Sequence, residues 1–288
     1  MVRGVHTTPT RISETSTSCS SSPARELSLK DTFTINHRNQ AQMPVGGFHF
    51  NPELATNNTI NLIYTTIDSG FDHFCVTGAK TEILGNIEAC TRNRSGNPYI
   101  TLILTADDIS QSSVVDEVDK AHEALKSAPI DMLVIPRTTY IELKEINDAG
   151  LFNCNLVKNM GVSGIDATQL DALIKKGHAP ACCVIDFNPL SNDAGKQKDL
   201  TELCKKLKIQ MVSNNPFANG ELLNDPTLLQ IANTHCKTPV DVCLNWLRQK
   251  GVVALFSFNT VEDIFEHSEP YHFELTDEEM LAIDRLDR

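Results

Sequence analysis

Eight short, β-rich apolar runs, separated by stretches of helical periodicity, constrain this chain more than any other feature. The runs are Val45–Phe50, Phe71–Val76, Tyr99–Thr105, Ile130–Ile135, Leu156–Val162, Cys182–Phe187, Ile209–Asn214 and Val252–Phe258. Between them apolar residues recur every three or four positions, as in Ile60, Ile63, Tyr64 and Ile67, and again in Val114, Val118, Ala121 and Leu125. Asp166 to Gln169 has the form of a capping box ahead of Leu170, Leu173 and Ile174, and Gly150 and Gly177 stand where helices should stop. Strands that are apolar nearly throughout are covered on both faces, which means a parallel sheet flanked by helices. A doubly wound open sheet satisfies the periodicity alone. The count of eight selects a single closed α/β barrel, a (β/α)8 TIM barrel, which needs roughly 250 residues.

The remaining segments fit around that barrel. Thr32–Ile35 and Ala41–Val45 flank the polar turn His37-Arg38-Asn39 and read as a hairpin able to close the barrel floor. Two further helices, Thr227–Thr234 and Pro239–Gln249, lie between the seventh and eighth strands, and Thr276 to Glu279 caps a last helix. The domain is therefore expected over residues 31–288. Residues 1–30 are Ser/Thr-rich, lack an apolar secretory core, and read as a disordered tail. Arg3, Arg11 and Arg25 leave organelle targeting open against a cytoplasmic location, while Glu14 and Glu26 weigh against targeting.

The net charge of −12 repels a polyanion, so a nucleic-acid partner is not expected. No apolar stretch reaches the roughly 18 residues of a membrane span. The nine cysteines show no metal-ligand spacing and read as reduced thiols, with Cys182 and Cys183 as packing residues; no metal site is expected.

The motifs MPVGGFHF (Met43–Phe50), IDSGFDHF (Ile67–Phe74), KNMGVSGIDATQL (Lys158–Leu170), CVIDFNPL (Cys183–Leu190), KTPVDVCLNWLRQKGVVAL (Lys237–Leu255) and FELTDEEMLAIDRLD (Phe273–Asp287) resemble the aldo-keto reductase superfamily from about Thr32 onward. The resemblance implies an NADP-dependent oxidoreductase domain: a barrel that holds NADPH across its C-terminal rim and reduces carbonyls. It also implies a proton-donating Tyr, a Lys that lowers its pKa, an Asp that orients the Lys, and a His near the substrate oxygen.

None of those four residues is present. Cys75 stands for the Asp, Ile103 for the Lys and Pro136 for the His, and no Tyr occurs between Phe71 and Pro98. Lys80, His73, Cys75, Asp107, Asp108 and Arg137 are expected near the rim and could substitute, although each reads first as core filler or rim surface. The cofactor positions are vestigial in the same way. Ser163 remains for the carboxamide, but Gly164 and Val184 replace its other partners. Asn214, followed by Asn215, replaces the aromatic ring that stacks on the nicotinamide. Ser257 and Asp263 replace the basic phosphate grips, with no Lys or Arg between Gly251 and Asp284. Glu266 fits an adenine-side contact. The segment after the fourth strand is short, and the sequence ends at Arg288, so the family's C-terminal substrate loop is expected to be missing.

The residues therefore point to a pseudoenzyme with no cofactor, acting on a protein partner or an unknown small ligand. Two alternatives stand beside it. One is an NAD(P)H-dependent reductase of small aldehydes and ketones with a rearranged site and NADPH as cofactor. The other is a regulatory subunit resembling the glutamate–cysteine ligase modifier, suggested by Ser213-Asn214-Asn215-Pro216, although the hairpin and C-terminal helix resemble ordinary reductases. The acidic stretch Glu262–Glu279 is a solvated face or a dock for a basic partner.

Overall fold

The computed structural model describes residues 31–36, 41–50, 59–94, 97–145, 156–191, 196–258, 260–268 and 270–286. The 1–30 tail, Gly150 and the turn at 37–39 lie outside these. A hairpin, β1 (Thr32–Asn36) and β2 (Ala41–Pro44), precedes eight strands: β3 (Gly46–Phe50), β4 (His73–Thr77), β5 (Tyr99–Ile103), β6 (Met132–Pro136), β7 (Met160–Ser163), β8 (Cys182–Ile185), β9 (Gln210–Ser213) and β10 (Val252–Phe256). These eight pair in parallel, each with the next, and β10 closes on β3. The order is that of a (β/α)8 barrel, and each strand falls within or beside one of the apolar runs.

Helices follow the strands: α1 (Thr59–Asp68), α2 (Thr81–Thr91), α3 (Ala106–Gln111), α4 (Val114–Ala124), α5 (Arg137–Glu145), α6 (Ala167–Lys175), α7 (Lys196–Leu207), α8 (Pro226–His235), α9 (Pro239–Gln249), α10 (Val261–Glu266) and α11 (Asp277–Asp284). Their ends follow local chemistry. Asp166 and Gln169 form the reciprocal capping box that opens α6, and Gly177 takes φ +81° just past its end. Thr276 with Glu279 opens α11, and Thr238 with Asp241 opens α9, with Pro239 at its first position.

One helical phase differs from the expected stripe. In α1, Ile63 and Ile67 are buried, but Ile60 and Tyr64 are 48% and 46% exposed. The buried face instead includes Leu62 and Thr66, whose hydroxyl bonds back to the Leu62 carbonyl at 2.7 Å. In α4, Val114, Val118 and Ala121 are buried as expected, and so is Leu125 just beyond it.

Alternation along the strands separates two cores. Phe48, Phe74, Leu102, Leu133 and Ile135 face the helices. Cys75, Met132, Val134, Cys182, Val212 and Leu255 fill the barrel, where Ile35 and Met43 of the hairpin join them and close the N-terminal end. Gly47 also faces inward and needs to lack a side chain: a Cβ there would sit 2.6 Å from His73 Nδ1 and 2.8 Å from Leu255 Cδ2.

Helix α9 is the outer anchor. Trp246 is fully buried, stacks on Phe187 at 5.4 Å, and donates Nε1–H to Asp284 of α11 at 2.9 Å. Six cysteines are buried free thiols. Cys236 is disulfide-bonded, which corrects the expectation of nine reduced thiols at that position. Among the described residues no helix is long and apolar enough to cross a membrane.

Candidate functional site

In a barrel of this kind the inward residues at the C-terminal strand ends form the mouth, and chemistry is sited there. The floor is set by His73 and Tyr99, which open β4 and β5 side by side. His73 Nε2 meets Thr101 Oγ1 at 2.9 Å, and the His73 ring packs edge-on to Tyr99 at 4.9 Å. Burial drives this imidazole down to about 3, which keeps it neutral; the Pro44 and Gly46 carbonyls only partly offset the loss of hydration. Nδ1 makes no hydrogen bond of good geometry. His73 was expected near the rim. It lies at the opposite end, because it begins its strand rather than ending it.

Cys75 is one layer above His73, in register with Thr101 and fully buried. It sits deeper than the rim expected for it. Burial first, and the neighbouring Cys182 second, push its thiol well above the usual range. Ile103 ends β5 beside Thr77, and Pro136 ends β6 beside Ser163; both are half-buried at the mouth. Helix α5 starts at Arg137, directly after Pro136, without even the short turn expected there.

The cofactor-side positions are spread around the same rim. Ser163 and Val184 are register neighbours on β7 and β8, with Ser163 half-buried and Val184 5% exposed. Gly164 follows with φ +65° in open space. Asn214 is exposed, and its N–H donates to the Ile185 carbonyl at 3.2 Å. The Asn215 side chain accepts from the Asn219 N–H, and its carbonyl accepts from Asn188 Nδ2. Both asparagines are therefore held in a turn. Ser257 is half-buried beyond β10, and Glu266 is exposed at the end of α10, whose first turn carries Glu262 and Asp263.

The polar residues considered as substitutes do not converge. Asp108 closes a capping box with Thr105 at the start of α3, and Asp107 is exposed beside it. Lys80 borders a cleft that also includes Asp108, Glu117 and Lys120; there Lys120 pairs with Glu117 at 2.6 Å. Arg137 opens α5. Among the described residues no group of three His, Cys, Asp or Glu could hold a metal ion.

The residue that sequence reasoning missed is His49. It stands on the inner wall of β3, in register with Cys75, and its Nε2 meets Thr77 Oγ1 at 2.8 Å. Desolvation lowers its pKa to about 4, so the imidazole is neutral at pH 7. The available signal was the alternation of MPVGGFHF, which puts Gly47 and His49 on one face between outward Phe48 and Phe50.

Comparison with known proteins agrees with the fold. Residues 104–288 match the Aldo/keto reductase family. Prostaglandin F synthase 1 of Bos taurus is 34% identical over 213 residues, 68% of this chain and 55% of that protein. Glyoxal reductase of Bacillus subtilis is 28% identical over 193 residues, 66% of this chain and 68% of that protein. The chain thus spans little more than half the length of the synthase it matches. An aldo/keto reductase from Brucella melitensis superposes with TM-score 0.76 at 21% identity, covering 89% of this chain and 99% of that one. A Bombyx mori aldo-keto reductase, solved in complex with NADPH, superposes with TM-score 0.73 at 19% identity, covering 90% and 88%. With a family match over well more than half its length and the closed eight-stranded barrel behind it, the chain belongs to the aldo/keto reductase family.

Proposed function

We propose that this barrel keeps the family scaffold without its reduction chemistry and works by binding, as a pseudoenzyme acting on a protein partner or a small ligand. The carrying observation is the inner wall where a proton would have to be delivered. Cys75 is sealed in with its thiol held protonated, and Ile103 and Pro136 have no proton to give. Hydride transfer builds negative charge on an oxygen, and preorganised donors are what stabilise it.

The residues at the cofactor positions do not fit a nicotinamide dinucleotide. Val184 offers the carboxamide no hydrogen bond, and Asn214 has no ring to stack. The first turn of α10 presents Glu262 and Asp263 where a phosphate needs charge-assisted donors. Ser163 and Glu266 alone retain suitable chemistry.

The relatives favour a second reading, an NAD(P)H-dependent reductase of small carbonyls with a rearranged site. By kinship alone it is the better supported, and neutral His49 is a group able to polarise a carbonyl, as neutral imidazoles do in other barrels. A thermal-shift titration with NADPH and NADH, run beside an assay of nicotinamide oxidation with a nitrobenzaldehyde, separates the two. Ligand at a hundredfold excess over Kd stabilises by about 2.7 kcal/mol. We expect no shift at millimolar cofactor and no oxidation. A micromolar Kd with turnover establishes the second reading.

A further inference from the structure

The segment that joins β9 to α8 carries the one Asn-Gly pair in the sequence, Asn219-Gly220. The pair lies in a short 3-10 stretch, Ala218–Asn224, and kinks it. Three consecutive residues there take positive φ: Ala218 at +48°, Asn219 at +54° and Gly220 at +89°. Asparagine and glycine tolerate that region, but alanine is strained in it, because its Cβ crowds the following carbonyl. Both ends of the turn are pinned. Leu222 is fully buried, and Phe217 packs on Phe256 with ring centres 6.4 Å apart. The strain is therefore confined between these two anchors. Two bonds hold the turn shut: Asn219 N–H to Asn215 Oδ1 at 2.8 Å, and Gly220 N–H to the Phe217 carbonyl at 2.9 Å. Asn219 is exposed.

We propose that Asn219 is a site of spontaneous deamidation. The Gly220 backbone nitrogen, once released from Phe217, attacks Cγ of Asn219. An N–Cγ bond forms, the Cγ–Nδ2 bond breaks, and Nδ2 leaves as ammonia with the proton that the backbone amide gives up. Water then opens the cyclic imide at either carbonyl, leaving aspartate or isoaspartate at position 219. Glycine permits the closure because it has no Cβ to obstruct it. Opening the turn relieves the left-handed alanine, so the reactive geometry is reached more cheaply than from an unstrained turn. Either product adds a negative charge to a segment that already holds Glu221 and Asp225, in a chain of net charge −12. Isoaspartate also lengthens the backbone between anchors that are fixed. The inference is independent of the binding reading above.

The test ages the intact chain in mildly alkaline buffer, beside a sample held unfolded in urea. Peptide mass mapping follows amide-to-acid conversion at each asparagine, and enzymatic methylation reports isoaspartate. In the folded protein position 219 should convert first, to a mixture of aspartate and isoaspartate. Ala218→Gly should slow that conversion roughly three- to tenfold, because relief of the left-handed alanine steadies the closed turn by more than the freedom of glycine favours the open one. The same variant should convert at the parent rate in urea. Asn219→Gln should remove the product. Thermal melts of both variants check that the barrel still folds. Conversion at position 219 in the unfolded chain alone overturns the proposal, as does earlier conversion of another asparagine in the folded protein. An Ala218→Gly protein that converts as fast as the parent when folded also overturns it, since the strained turn would then contribute nothing.

Discussion

Gly47→Ala tests the barrel interior most directly. The added methyl would lie 2.6 Å from His73 Nδ1, 2.7 Å from its Cε1 and 2.8 Å from Leu255 Cδ2. Carbon contacts are comfortable at about 3.5–4.0 Å, so three atoms of two neighbouring residues are each about 1 Å too close. His73 cannot swing aside cheaply. Its Nε2 is tied to Thr101 at 2.9 Å and its face is wedged by Tyr99. Leu255 sits on a strand paired on both sides. Overpacking of a tight core costs about 1–3 kcal/mol, and a site with two pinned neighbours belongs at the upper end. At roughly 2–4 °C per kcal/mol for a domain of this size, Tm should fall by about 6–12 °C. Gly85→Ala provides the control. That glycine lies within α2, where a Cβ would meet nothing closer than 4.0 Å, so alanine should raise Tm by about 2–4 °C through helix propensity. Melts followed by circular dichroism decide the matter. A Gly47→Ala protein melting within a degree of the parent would mean that β3 does not turn this face inward, and the placement of His49 would fall with it.

Acidification should destabilise the protein well before its carboxylates titrate. His49 and His73 are neutral in the fold down to about pH 4 and 3, but protonate near 6.5 when unfolded. The unfolded chain therefore binds more protons over that window, and stability falls as pH drops from 6.5 towards 4, by about 1.4 kcal/mol per pH unit for each group. Urea melts should show this slope, and His49→Phe should remove about half of it. Trp246, the lone tryptophan, should emit at a blue-shifted maximum that moves red on unfolding, and Trp246→Phe should cost roughly 1–3 kcal/mol by removing the Trp246–Asp284 hydrogen bond and the larger ring's packing on Phe187. Cys75 and Cys182, the latter pushed up to about 12 by burial, should resist iodoacetamide in the native protein; mass mapping that finds either labelled would show the barrel interior to be open.

The barrel was legible because its signals are local and redundant. Period-two and period-3.6 patterns, the cap at Asp166 and the hairpin each specify an element without reference to the others. The site was legible only in part. Spacing within MPVGGFHF and HFCVT carries the inward parity of His49, Cys75 and Thr77, but not their depth. Depth depends on the stagger between neighbouring strands, which is why Cys75 was placed too high and His73 at the wrong end. The exposed face of α1 was misjudged for a related reason: Ile60 and Tyr64 fit the helical period, yet Leu62 and Thr66 fit it equally well, and only the neighbouring elements choose between them.

The residues that hold this barrel together and those that would carry chemistry on it occupy opposite ends. The hairpin floor, the His73–Thr101 layer and the Trp246–Asp284 anchor lie below the mouth or outside it, and none requires a particular side chain at Ile103, Pro136 or Val184. Val184 is buried in the inner core, but Ile103 and Pro136 are half-buried strand ends, which contribute little to stability, so exchange of a polar group for an apolar one at those two is tolerated. A buried polar group is different, because removing its partner leaves an uncompensated cost. This asymmetry predicts where change is easy. Replacing Ile103 by Ser should move Tm by roughly 2–4 °C at most, about 1 kcal/mol of lost apolar contact. Replacing Thr101 by Val, two residues deeper on the same strand, orphans a second nitrogen of His73 and should cost roughly 1–3 kcal/mol. If Ile103→Ser proves the more damaging of the two, the mouth is part of the stabilising core, and its apolar residues reflect packing rather than the loss of chemistry.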